Sequence, residues 1–180
     1  LFAMYKDEVF NGPEVSLMEM LDAREKRAFR QTQIINEHSP GSLLSVTLNI
    51  PGNIKTSLYL VGVFEEMLTV IKTKLDDVTI RFSEVLNLPT GPEAYFFVDI
   101  DSIELKKRMV ALEEMHSKGR VFDLDVVKLE DGKLSSLKRE EVGVGKRQCY
   151  ICDRPAKECA RSRKHSIEES QEAIANILLG

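Results

Sequence analysis

No run of 18 apolar residues occurs in the chain, so a membrane-spanning helix is excluded. Positive charge is not in excess either. The 25 Lys and Arg face 29 Asp and Glu, for a net charge of −4. That excludes a generally basic nucleic-acid coat and leaves only local basic patches as phosphate binders. Cysteine is scarce: three residues, an odd number, all between positions 149 and 159. A secreted disulfide framework does not fit, and a reducing cytoplasmic setting is expected. There is no internal repeat and no low-complexity stretch. No secretory leader is expected; Met4 is a candidate natural start, and a continuation beyond Gly180 stays open. What remains is a globular composition, 43% hydrophobic and 30% charged over 180 residues. That length suggests one domain able to bury a core without staples.

The expected organisation is a loose lead-in over 1–15, ending in the turn signal Asn11-Gly12-Pro13, then a single domain over 16–180. Ser16-x-x-Glu19 forms a capping box that opens a helix to about residue 37. Its stripe is Leu17, Met20, Leu21, Ala28, Ile34 and Ile35, and it also passes through Arg24 and Gln31. Alternation predicts strands over 43–50 and 78–86, with a helix over 57–75 between them. Residues 94–100 are nearly all apolar, as in a strand buried on both faces. Asp101-x-x-Glu104 starts a helix to about 115, and 120–127 reads as a strand. Residues 128–147 read as loop with one short strand, and Ser166-x-x-Glu169 caps a last helix. The fold class is therefore α+β: a mixed or antiparallel sheet with helices packed on it and helices at both ends. Strand–helix–strand–strand–helix–strand over 43–127 points to a ferredoxin-like βαββαβ core. In that topology Asn49, Asp99 and Asp123 are expected to meet at one edge of the sheet.

The segment Gly119-Arg-Val-Phe-Asp-Leu-Asp-Val126 is the most informative for chemistry. Asp123 and Asp125 are two apart on a strand, so both carboxylates leave by one face. Paired acids suit Mg²⁺, which takes one or two carboxylates plus phosphates and water; a solvated strand face is the plain alternative. Gly119 allows a close backbone approach to a phosphate, and Arg120 can grip one bidentately. Asp99 is a third candidate metal ligand, and a capping role is its alternative. His116 is a candidate base or a helix-end histidine. Arg24, with Gln31 and Arg27, is a candidate lining of a polar pocket, or an arginine that snorkels. Asn49 and Lys55 flank a strand-to-helix turn suited to ligand contacts.

Residues 146–165 hold seven Lys or Arg against two acids. Arg161, Arg163 and His165 lie just ahead of a helix N-terminus, a place that favours anions. Cys149-x-x-Cys152, Cys159 and His165 offer four zinc ligands, the first pair at zinc-knuckle spacing. Reduced, partly buried thiols are the alternative.

Five stretches carry a family resemblance: VSLMEMLDAREKRAFRQ at 15–31, TLNIPGNIK at 47–55, LNLPTGPEA at 86–94, HSKGRVFDLDV at 116–126 and CYICDRPAKECARSRKHS at 149–166. In this order they resemble the apo-citrate lyase phosphoribosyl-dephospho-CoA transferase family, also called holo-citrate lyase synthase. The resemblance implies a nucleotidyltransferase-type enzyme, and with it a nucleotidyltransferase-like core as the alternative to the ferredoxin-like one. Its donor would be triphosphoribosyl-dephospho-CoA, its acceptor a serine of the citrate lyase acyl carrier subunit, and its leaving group pyrophosphate. It also implies a DxD metal site, which places Asp123 and Asp125, with Asp99, around Mg²⁺. Arg120, Arg161 and Arg163 then become phosphate contacts, with Lys55 and Arg24 weaker ones. The rivals are a zinc-stabilised adaptor without catalysis and a nucleotidyltransferase with another acceptor, such as a tRNA end; the modest charge weighs against nucleic acid.

Overall fold

Alternation along the strands sorts their side chains onto two faces of unlike polarity, and the helices divide between those faces. The computed structural model describes residues 2–180, with side chains from residue 6 onward. Five strands, β1 (Ser42–Leu48), β2 (Ile80–Leu88), β3 (Gly91–Val98), β4 (Phe122–Glu130) and β5 (Lys133–Ser136), pair in the spatial order β2-β3-β1-β4-β5. Every pairing is antiparallel. Helix α3 (Leu58–Lys74) joins β1 to β2, and α4 (Ser102–Met115) joins β3 to β4. The expected strand–helix–strand–strand–helix–strand order is thus present, in an α+β protein with an antiparallel sheet.

One face is wholly apolar. Leu44 and Val46 of β1, Ala94, Phe96 and Val98 of β3, and Phe122, Leu124 and Val126 of β4 meet Phe64, Met67 and Ile71 of α3 and Leu105 and Met109 of α4. Helix α6 (Ile167–Leu179) adds Ile174, Ala175 and Leu178 to this core. Residues 2–9, expected as loose lead-in, form α1 (Phe2–Val9), and Val9 and Phe10 are buried in the same core. The Ser57 hydroxyl donates to the Val9 carbonyl at 2.6 Å. Residue 1 of that lead-in lies outside the described residues.

The other face carries α2 (Leu17–His38). Ser16 and Glu19 form the expected capping box, the Ser16 N–H donating to Glu19 and the Glu19 N–H to Ser16. The helix differs from its predicted stripe. Leu17 and Leu21 are exposed, and only Ala23 and Ile34 are fully buried. The reason is the surface beneath it. Where β1, β3 and β4 present Leu43, Phe97 and Val127, Ile34 covers them. Farther along, the same strands present polar groups, and α2 answers with Arg27, Arg30 and Gln31.

Glu93 is the anchor of that docking. It is 1% exposed, near the start of β3, and accepts from Arg27 at 3.2 Å and from Arg30 at 3.3 Å. The hydroxyl of buried Tyr95 donates to the same carboxylate. Burial, together with the Glu93 charge, raises the Tyr95 pKa, so the phenol keeps its proton as a donor. Stripping one member from a buried charge cluster leaves the others uncompensated. Glu93→Ala is therefore expected to destabilise the protein by about 3 kcal/mol, with Glu93→Gln losing less. Urea denaturation measures this, and a loss under about 1 kcal/mol would remove Glu93 as the anchor of α2.

Candidate active site

The antiparallel register lays two polar rows across the sheet beneath α2. Thr47 of β1 lies opposite Glu93 of β3 on one side and Asp123 of β4 on the other. Ser45 lies likewise between Tyr95 and Asp125. Directly opposed residues share a face, with Cβ atoms about 5 Å apart. Gln31 of α2 donates to the Ser45 hydroxyl at 3.0 Å and closes the second row.

Beside the first row opens a polar cavity of about 180 Å³. Arg24, Arg27 and Lys55 bring positive charge to it, and Asp123 brings negative charge. Asn49, Thr90 and Gly91 contribute polar and backbone groups. Lys55 donates to the Ile50 carbonyl at 2.6 Å. Its pKa is lowered, first by burial and then by the charge of Arg24. The Nε–H of Arg27 is buried and has no partner among the described residues. An anionic ligand would relieve both features.

Asp123 and Asp125 share a face, as their spacing requires. Asp123 pairs with Arg147 at 3.1 Å. Burial, and then the charge of Asp123, raises the pKa of Asp125, while Lys106, Arg147 and Arg27 act in the opposite direction. Two adjacent acids, one of them desolvated, beside a cavity lined by Arg24, Arg27 and Lys55 could hold a hard divalent cation. The donor set therefore fits Mg²⁺.

Arg147 connects this pair to its surroundings. Its guanidinium donates to the Gly119 and Phe122 carbonyls, both at 2.9 Å, and pairs with buried Glu113 of α4 at 3.1 Å. Burial pushes the Glu113 carboxyl up to about 7, against the attraction of Arg147, Lys106 and Arg139.

The remaining candidates lie elsewhere. Asp99 follows β3 and pairs with Arg81 at 2.5 Å. Because β3 runs antiparallel to β1, its C-terminal end lies beside Ser42, at the end of β1 away from Asn49 and Thr47. Asn49 does lie beside the start of β4, its N–H donating to the Val121 carbonyl at 2.7 Å. The expected meeting of Asn49, Asp99 and Asp123 is thus corrected to Asn49 and Asp123 alone. His116 ends α4, and its Nδ1 accepts from the Lys118 N–H at 3.1 Å, which makes it a turn residue. Gly119 and Arg120 sit on a 3-10 turn, Gly119–Val121, and not on the strand. A Cβ on Gly119 would come within 2.2 Å of the Glu113 carbonyl oxygen, so its small size serves packing against α4. Arg120 donates to the Gln148 carbonyl rather than facing the cavity. Arg161 and Arg163 are exposed on and just after α5 (Ala156–Ser162), and neither lines the cavity.

Cys149, Cys152, Cys159 and His165 do converge. One donor atom from each lies within 4.8 Å of the others, a set that could bind a metal ion such as zinc. Residues that sequence reasoning missed are Glu93, Tyr95, Glu113 and Arg147. Three had a faint signal: Glu93 is a lone acid in an apolar strand, Glu113 an acid on the buried side of a helix, and Arg147 an arginine next to a cysteine pair, while Tyr95 had none.

The described helices include none long and apolar enough to cross a membrane. Compared with known proteins, residues 15–179 match the family described as apo-citrate lyase phosphoribosyl-dephospho-CoA transferase. A probable enzyme of that name from Streptococcus pyogenes is 46% identical over 97% of this chain and 91% of its own length. One from Vibrio cholerae is 35% identical over 86% of each. Protein CitXG of Haemophilus influenzae is 37% identical over 92% of this chain, which spans 35% of that longer protein. The chain belongs to the apo-citrate lyase phosphoribosyl-dephospho-CoA transferase family.

Proposed function

We propose that the cavity beside Asp123 holds the polyphosphate of a phosphoribosyl-dephospho-CoA donor and that the Asp123–Asp125 pair is the reaction centre. The family's enzymes transfer this group to apo-citrate lyase, installing the prosthetic group on the acyl carrier. The observation that carries the reading is the meeting of three cations, Arg24, Arg27 and Lys55, with Asp123 around one cavity. The orphaned Nε–H of Arg27 gives the same answer, since a phosphate oxygen is a natural acceptor for it. The strand order supports the split βαβ reading of the core.

Arg24, Arg27 and Lys55 bind and orient the donor's triphosphate, leaving its innermost phosphorus open to the carrier serine. The serine oxygen forms a new bond to that phosphorus as the bond to the departing pyrophosphate breaks. Asp123 and Asp125 would hold Mg²⁺, which when bound supplies neutralisation of charge on the phosphate oxygens. An acid of the same pair accepts the serine proton, and the raised pKa of Asp125 makes it the better acceptor. Arg147 holds the Asp123 carboxylate in place through their ion pair, and Glu93 holds α2, with Arg27, over the site. No covalent intermediate is required, because positioning and electrostatics suffice. Thiolates favour zinc and carboxylates favour magnesium, so the cysteine–histidine set is a separate centre.

Asp123→Asn and Asp125→Asn are each expected to slow pyrophosphate release about 100-fold or more with apo carrier, donor and Mg²⁺, while remaining folded. Near-normal rates in both variants would move the reaction centre elsewhere. Arg24→Ala should chiefly raise the donor KM, and a change confined to kcat would oppose its place in the cavity.

Glu113 gives a pH signature. Its folded pKa, about 7, stands above the ordinary 4.5. Its stabilising contribution is thus complete below 4.5 and is lost as pH rises through about 7. Glu113→Gln should flatten the dependence of unfolding free energy on pH across that window. An unchanged slope would show that Glu113 does not retain its proton on folding.

A further inference from the structure

We infer that Cys149, Cys152, Cys159 and His165 form a closed structural zinc site that holds the segment carrying Arg147 against the active-site acids. Neither the resemblance nor the family's activity calls for it, and it stands independently of the cavity assignment.

The geometry has several independent parts. The Cys152 and Cys159 sulfurs are 3.5 Å apart, too far for a disulfide, and all three cysteines are free. A tetrahedral ion with Zn–S bonds of about 2.3 Å separates its sulfurs by about 3.8 Å. The Ile151 N–H points at the Cys149 sulfur from 3.4 Å, an orientation that stabilises a thiolate. Nε2 of His165 is buried and has no hydrogen-bond partner among the described residues. Its other nitrogen, Nδ1, lies 4.0 Å from the Glu169 carboxylate. Metal-bound histidines commonly pair their second nitrogen with such an acid, which orients the ring. An imidazole nitrogen orphaned next to three thiols is explained once a metal takes it. Four protein ligands leave no open position, which separates a structural zinc from a catalytic one.

The surrounding segment needs such a tie. Helix α5 has seven residues, too few to persist without support, and Cys159 is its one buried residue. The chain entering the cluster is held by two backbone bonds, Cys149 N–H to the Arg154 carbonyl and Ala156 N–H to the Arg147 carbonyl, both at 2.8 Å. Arg147 is therefore built into the base of the knuckle. Its side chain leaves the knuckle for Asp123 and Glu113. The Arg120 bond to the Gln148 carbonyl fastens the same strand to the 3-10 turn before β4. Three thiolates around Zn²⁺ carry a net negative charge, and the basic residues of 146–165 offset it. That local charge thereby acquires a role which exposed Arg161 and Arg163 do not fulfil at the cavity.

The test is metal content of the full chain grown with added zinc, read by inductively coupled plasma mass spectrometry. The expected result is about one zinc per chain, kept in Asp123→Asn and Asp125→Asn and lost in Cys152→Ser and His165→Ala. As a control against unfolding of the last two, the wild-type protein is also reconstituted with Co²⁺. A tetrahedral thiolate-cobalt spectrum is expected. Chelation of the wild type should open residues 146–164 to trypsin while the sheet stays resistant. Three results overturn the inference: metal-free wild type with freely titrating thiols or an oxidised Cys152–Cys159 pair, zinc retained in both cluster variants, or chelation that removes zinc without changing the tryptic pattern. None of these readouts uses transfer activity, so their failure is distinct from failure of the cavity assignment.

Discussion

A carboxylate buried within a β-strand decides how α2 is seated on the sheet. Glu93 cannot keep its charge in an apolar layer without partners. Two arginines one turn apart on α2 and the phenol of Tyr95 supply them. That requirement selects one placement of α2 on the sheet. It brings Ile34 over the apolar row and Gln31 over Ser45. It also carries Arg24 and Arg27 to the rim of the cavity. The helix over the Asp123–Asp125 pair is thus seated by electrostatics, while the opposite face of the sheet is seated chiefly by apolar burial.

Two chemistries are kept apart by donor type. Candidate oxygen donors, Asp123 and Asp125, sit on β4 under α2, and candidate sulfur donors sit in the segment that precedes α6. Arg147 is the physical link, with its backbone in one and its guanidinium in the other. The same arginine contacts both Asp123 and Glu113, two acids from different elements.

Local signals carried most of the fold. Ser16 with Glu19, Ser166 with Glu169, and Asp101 open helices where their capping patterns place them. The acid pair shares a strand face because a period of two leaves no other choice. Asp99 was misplaced because strand direction belongs to the pairing, not to the residues: its neighbour across the sheet is the start of β1. Glu93 and Tyr95 escaped notice inside a strand that reads as uniformly buried. Burial there has two causes, aliphatic packing on one face and a salt-bridged helix on the other. Helix α1 was missed because a turn signal at Asn11-Gly12-Pro13 says nothing about what precedes it. The partners of Arg147 come from α4, the turn before β4 and β4 itself, and such convergence has no one-dimensional signature.

The alternation of β4 has an evolutionary consequence. Phe122, Leu124 and Val126 fill the core while Asp123 and Asp125 face α2. A slip of one residue against β1 would exchange the two sets, sending both acids into hydrocarbon and three large apolar groups under a row of arginines. An insertion or deletion in the run from Gly119 to Val127 is therefore costly unless a bulge absorbs it, since no point substitution restores the alternation. Length variation should instead accumulate at the β4–β5 turn, where Asp131 and Gly132 adopt positive φ and a Cβ on Gly132 would meet nothing within 4 Å.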